Sequence, residues 1–115
     1  MSDYKNQISL LLDVLPEVAK ESCFALHGGT AINLFIRDMP RLSVDIDLTY
    51  IPIEDRNTSL KNIVNALERI KTNLEKVLPE AQISIKKNIL KLQVTTAKAQ
   101  IKIEVNQINL LDADI

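Results

Sequence analysis

Aromatic side chains are scarce in this chain, with two Tyr, two Phe and no Trp among 115 residues. Its core must therefore be aliphatic, built mainly from Leu, Ile and Val. The single cysteine, Cys23, excludes an intrachain disulfide and a cysteine-built zinc site. The single histidine, His27, excludes a histidine-rich metal site. No apolar run approaches the roughly 20 residues of a membrane span, and the opening "MSDYKNQ" lacks the basic-then-apolar order of a signal peptide. Neither charge dominates. A net charge of -1 and a pI of 5.8 argue against a strongly basic nucleic-acid binder, while leaving room for a local patch. At 46% hydrophobic and 25% charged the composition is that of a globular domain, not a disordered segment. One domain over residues 1–115, soluble and cytoplasmic, is the expectation.

The stretch "YKNQISLLLDVLPEVAKES" places apolar residues at Ile8, Leu11, Leu12, Leu15, Val18 and Ala19. That spacing predicts a helix, with a break or kink where Pro16 removes a backbone donor. "CFAL" reads as a short buried strand stopped by Gly28 and Gly29, and "TAINLFIRD" as a helix starting at those glycines. The clearest helix spans 58–78, where Leu60, Ile63, Val64, Leu67, Ile70, Leu74, Val77 and Leu78 form one apolar stripe. Three strand-like runs follow, "AQISIKK", "NILKLQVTT" and "AQIKIEVNQI", separated by hairpin turns at Asn88 and at "AKA". The order predicts an α/β (α+β) domain with a mixed sheet.

Between the second and third helical stretches lies "RLSVDIDLTY". It alternates with period two, so Val44, Ile46 and Leu48 take one face, and Ser43, Asp45, Asp47 and Thr49 the other. Two carboxylates thus share a face, about 6.6 Å apart along a strand that rises ~3.3 Å per residue. Like charges that close call for something positive between them. Mg²⁺ takes oxygen ligands and commonly pairs one or two carboxylates with substrate phosphates. Asp-x-Asp alone reads more readily as a wet sheet edge. Two neighbours in the sequence bear on the choice. "HGGTA" at 27–31 offers glycines that let a backbone approach phosphate, and Thr30 adds a hydroxyl; a tight turn also asks for glycine. In "IKIEVN" at 101–106, Glu104 alternates to the face opposite Ile101, Ile103 and Val105, as a third carboxylate or as plain solvated surface.

Taken together, Gly28, Gly29, Thr30, Ala31, Arg41, Ser43, Asp45, Ile46, Asp47 and Leu48 resemble the signature of AbiEii/AbiGii toxin-type nucleotidyltransferases, within the DNA polymerase β-like superfamily. "KIEVN" is similar to that family's strand carrying the third carboxylate. The resemblance implies a nucleotidyltransferase fold, a mixed sheet with helices packed on one face. It implies two Mg²⁺ ions held by Asp45, Asp47 and Glu104, and a nucleoside triphosphate over Gly28, Gly29 and Thr30. Arg41, Ser43 and Lys102 are then nucleotide-binding candidates. Arg41 serves phosphate as a bidentate donor, or ties its loop to a carboxylate. An acceptor hydroxyl would attack the α-phosphorus and expel pyrophosphate, Glu104 taking the proton. The acceptor implied is RNA or tRNA, and the role that of a toxin with a cognate antitoxin. The alternatives kept open are a binding module of the same fold without turnover, and a small-molecule adenylyltransferase of the antibiotic-modifying kind. Relatives of this type carry a helical C-terminal part with a further Lys and Asp. Eleven residues follow Glu104, with no lysine, so that region is expected to be absent here, and an exposed sheet face leaves oligomerisation open.

The remaining residues take plainer readings. His27 is read as structural and Cys23 as a core residue. Asp112 and Asp114 form a second Asp-x-Asp at a solvated chain end. Lys86, Lys87, Lys91, Lys98 and Lys102 form a run with no acidic residue between, either attracting phosphate or guarding sheet edges. Without interleaved aromatics the edge-guarding reading is preferred, Lys102 excepted because it shares a face with Glu104.

Overall fold

A computed structural model describes residues 3–26, 32–36, 42–97 and 99–106, with side chains described at 8–26, 44–97 and 99–106. Helix α1 (Asp3–Ala19) is followed by strands β1 (Phe24–Leu26), β2 (Ile32–Ile36) and β3 (Leu42–Tyr50), then by helix α2 (Arg56–Val77). Strands β4 (Gln82–Lys86), β5 (Lys91–Thr95) and β6 (Ala99–Asn106) complete the described elements. Six strands form one sheet in the order β1-β3-β6-β5-β4, with β2 also on β3. β3 and β6 run parallel; the other pairs are antiparallel. Because β6 takes one edge of β3 along 42–49, β1 and β2 share the other edge end to end.

The alternating pattern decides which face is covered. Val44, Ile46, Leu48 and Tyr50 of β3, Leu92 and Val94 of β5, and Ala99, Ile101, Ile103 and Val105 of β6 are buried. They pack with Ile63, Leu67, Ile70 and Leu74 of α2 and with Leu10, Val14 and Val18 of α1 in one aliphatic cluster. Each fully buried Leu, Ile or Val contributes roughly 1.5–3 kcal/mol. The opposite face carries Asp45, Asp47, Thr49, Lys102 and Glu104, and no described helix covers it. The α+β class and the mixed sheet are as the sequence predicts, and the described helices lie on one face as the resemblance implies.

Three local expectations are corrected. The segment read as a helix after the glycines contains strand β2, paired with β3 through Ile32↔Ile46 to Ile36↔Leu42. Only ten residues separate Gly29 from Pro40, too few for a helix to be stable unaided, and Ile32, Phe35 and Ile36 suit a strand. The unfilled edge of β3 supplies the hydrogen bonds. Second, Pro16 does not break α1, which continues to Ala19. Pro16 is on the exposed side, so the carbonyl it leaves without a donor, that of Leu12, is free to reach water. Third, the buried stripe of α1 is Leu10, Val14 and Val18, while Ile8 and Leu12 are 50% and 64% exposed. "ISLLLDVLPEV" is apolar on several sides, so spacing alone cannot choose its face.

The turn between β4 and β5 is a single 3-10 turn, Lys87–Ile89, followed by Leu90 in the left-handed region at φ 52. A non-glycine residue there costs about 1–2 kcal/mol. Burial of the Leu90 side chain offsets a cost of that size, and the Leu90 carbonyl also accepts the Val105 amide at 3.1 Å. Arg69 of α2 forks onto Glu21 beyond the end of α1, Nη2 to Oε1 at 2.7 Å and Nε to Oε2 at 3.1 Å. With Arg69 58% exposed, the pair fixes geometry more than it adds stability.

Cys23 is half-buried against the core and precedes β1. Burial, reinforced by the nearby Glu21 carboxylate, pushes its thiol up from the ordinary cysteine value. The folded thiol holds its proton more tightly than the unfolded one, so this group's contribution is full below the free-cysteine value and is lost as pH rises from there through the raised folded value. Iodoacetamide at neutral pH is therefore expected to alkylate Cys23 more slowly in the native chain than in urea. Equal rates after correction for urea would contradict the burial described.

Candidate functional site

The open face is organised by register. Across the parallel pair, Asp45 lies opposite Lys102 and Asp47 opposite Glu104. On the other side of β6, Glu104 lies opposite Lys91 of β5 and Lys102 opposite Gln93. Lys91 in turn faces Lys86 on β4. All three predicted acids and Lys102 thus share one face on adjacent strands, which is the juxtaposition the alternation called for. Neighbouring strands are about 4.8 Å apart, so Asp47 and Glu104 are like charges at cross-strand distance, an arrangement folding alone disfavours.

Asp45 is the more telling group. Its Oδ1 is buried and has no hydrogen-bond partner among the described residues, although Lys102 is directly across. Leaving such an oxygen unpaired costs about 1–3 kcal/mol. Four residues along, Thr49 Oγ1 is also buried without a partner among the described residues. The sequence reading did not single out Thr49 as a site residue, though its alternation already placed it on the carboxylate face. Its neighbour on β1 is Ala25, whose side chain has no polar atom to offer the hydroxyl.

Glu104, by contrast, has an ion-pair partner on β5, with Oε2 at 3.9 Å from Lys91 Nζ. Consistently, among the described residues no three His, Cys, Asp or Glu side chains gather closely enough to hold a metal ion. The donor chemistry still fits a hard divalent cation. One carboxylate oxygen is buried without a donor, and two carboxylates on neighbouring strands are uncompensated by each other. Asp45, Asp47 and Glu104 are the residues that would hold it.

Lys91 corrects an expectation. It and Lys102 sit on interior strands of the sheet and so cannot be guarding an edge; of the described lysines on this face only Lys86, on the outer strand β4, is so placed. Lys87 points elsewhere and pairs with Glu68 of α2 at 3.3 Å. Only strand register, which the sequence does not print, reveals that Lys91 borders Glu104. Gly28, Gly29, Thr30, Arg41, His27, Lys98, Asp112 and Asp114 lie outside the described residues, and Ser43 is described only in its backbone pairing with Gln100 and Phe35. Since 32–36 is a strand, the helix end expected to receive phosphate just after the glycines is withdrawn.

No described helix is long and apolar enough to cross a membrane. The family model described as "Nucleotidyl transferase AbiEii toxin, Type IV TA system" matches residues 9–114. No curated protein and no solved structure matches the chain.

Proposed function

Since the chain belongs to the AbiEii nucleotidyl transferase toxin family, we propose that it moves a nucleoside monophosphate from a nucleoside triphosphate to a hydroxyl of RNA, tRNA being the narrower candidate. A type IV toxin–antitoxin family implies a cognate antitoxin and a nucleotide substrate in general terms. The observation that carries the reading here is the partnerless, buried Oδ1 of Asp45 beside the Asp47–Glu104 like-charge pair on the open face.

In this reading Asp45, Asp47 and Glu104 hold Mg²⁺, two ions in the full arrangement. Bound there, the metal supplies charge neutralisation at the attacking and leaving oxygens. Gly28, Gly29 and Thr30 present backbone and hydroxyl donors to the phosphates, and Arg41, Ser43 and Lys102 add further donors. Glu104 accepts the proton of the acceptor hydroxyl. The acceptor oxygen bonds to the α-phosphorus as the bond to the bridging oxygen breaks, and pyrophosphate leaves with that electron pair. Thr49 contributes a hydroxyl to the same face.

The test is label transfer to total RNA from each of the four α-labelled nucleoside triphosphates, with Mg²⁺ or with chelator. Label in RNA that requires Mg²⁺ is the expected result; no transfer from any of the four overturns it. One observation favours a second reading, a binding module without turnover: Glu104 is engaged by Lys91 and the three carboxylates do not close on one point. Metal-dependent triphosphate binding with no transfer to any acceptor would select that reading. Transfer to small hydroxylated amines in preference to RNA would select the small-molecule adenylyltransferase.

A further inference from the structure

One cross-strand row of the open face has an unusual charge order. Asp47 on β3 faces Glu104 on β6, Glu104 faces Lys91 on β5, and Lys91 faces Lys86 on β4. The row therefore reads acid, acid, base, base, two like-charge pairs set side by side. Like charges directly across a sheet are destabilising, so each pair invites an external ion of the opposite sign. The acid pair suits a cation. The lysine pair suits phosphate, and among the described residues Lys86 makes no ion pair. Beyond Glu104 this end of the open face carries no described acid; Gln93, Thr95, Ser84 and Gln82 complete a polar, cationic platform.

We infer that Lys86 and Lys91 are the landing surface for the phosphate backbone of the RNA acceptor, an assignment that rests on the transferase reading above. Its direction follows from the sheet order. Asp45 and Asp47 stand on β3 and Glu104 on β6. With the two aspartates holding the metal that meets the phosphates, the triphosphate is assigned to the β3 side. In-line displacement puts attacking and leaving oxygens on opposite sides of the phosphorus. The acceptor must then approach from the β6 side, where Glu104 stands ready for its proton and the lysines lie one and two strands further on. A polyanion gains on that surface, whereas a polycationic small molecule is repelled. Lys91 has a further part: phosphate drawn to it competes with Glu104 and frees that carboxylate to turn toward the aspartates.

Binding of a short labelled single-stranded oligoribonucleotide, followed by fluorescence anisotropy across a salt series, tests this on the whole chain. Lys86→Gln/Lys91→Gln is expected to weaken RNA binding on the order of tenfold at moderate salt and to flatten the salt slope by about 1.4, two contacts' worth for a single strand. Lys86→Gln alone, at a fully surface position, is expected to give about half the slope change, which separates the effect from any disturbance of folding at Lys91. Lys87→Gln, on the helix side, is expected to leave RNA binding unchanged. Calorimetry is expected to give unchanged triphosphate affinity in Lys86→Gln and Lys87→Gln. Lost triphosphate affinity with intact RNA binding would overturn the inference by assigning the lysines to the nucleotide, and so would no effect, or no RNA binding by the wild type. Lysine-dependent RNA binding together with absent triphosphate binding would leave the surface standing while the transferase reading fell.

Discussion

Asp45→Ala is expected to abolish transfer while leaving the fold as stable as wild type, or more so. The two effects have one cause. Asp45 Oδ1 is buried without a partner among the described residues, so it carries its desolvation cost with no compensating bond from them. Removing it relieves about 1–3 kcal/mol, less whatever packing the Cγ and Oδ2 atoms provided. A metal centre supplies several kcal/mol of transition-state stabilisation, so losing a ligand costs on the order of a thousandfold or more in rate. Asp47→Ala should behave alike, because it removes one member of the like-charge pair with Glu104. Urea unfolding beside initial rates of label transfer reads both halves. A variant that retains transfer would remove Asp45 from the site. A variant that unfolds several kcal/mol more easily would make the carboxylate structural.

The legible part of this site was its alternation. "SVDIDLTY" and "IKIEVN" each declare their faces residue by residue, since a strand's period of two leaves no freedom once Val44, Ile46, Ile101 and Ile103 seek the core. What alternation cannot state is which strand lies beside which, and in what register. Lys91 therefore passed for an edge guard, although pairing through β6 sets it against Glu104. The same blindness governed 32–36. "INLFI" carries apolar residues that suit either a short helix or a strand, and the free edge of β3, a tertiary fact, decided it. In α1 the difficulty was surplus: Ile8, Leu10, Leu11, Leu12, Val14 and Leu15 surround the helix, and only the sheet it packs on selects Leu10 and Val14 over Ile8 and Leu12. In α2 Ile63, Leu67, Ile70 and Leu74 are buried as its stripe predicts, while Val77 at the end of the stripe is 47% exposed.

The largest expected loss of stability lies directly beneath the site. Ile103 is fully buried on β6, flanked in register by Ile46 of β3 and Leu92 of β5, themselves fully buried. Ile103→Ala is expected to cost about 2–5 kcal/mol, because a close-packed row between two strands cannot collapse into the space left. Against a total of roughly 5–15 kcal/mol for a domain, that is a large fraction of the whole. Ile103→Val should cost about 0.5–1.5 kcal/mol, giving a graded series in urea midpoints. The consequence reaches the open face, since Ile103 is the residue between Lys102 and Glu104 and sets how firmly their backbone is held. Leu12→Ser provides the contrast. On a side chain 64% exposed it should change stability by no more than about 0.5 kcal/mol. A large loss at Leu12 would mean that α1 presents a different face to the sheet, and a small loss at Ile103 would mean that β6 is not the centre of the core.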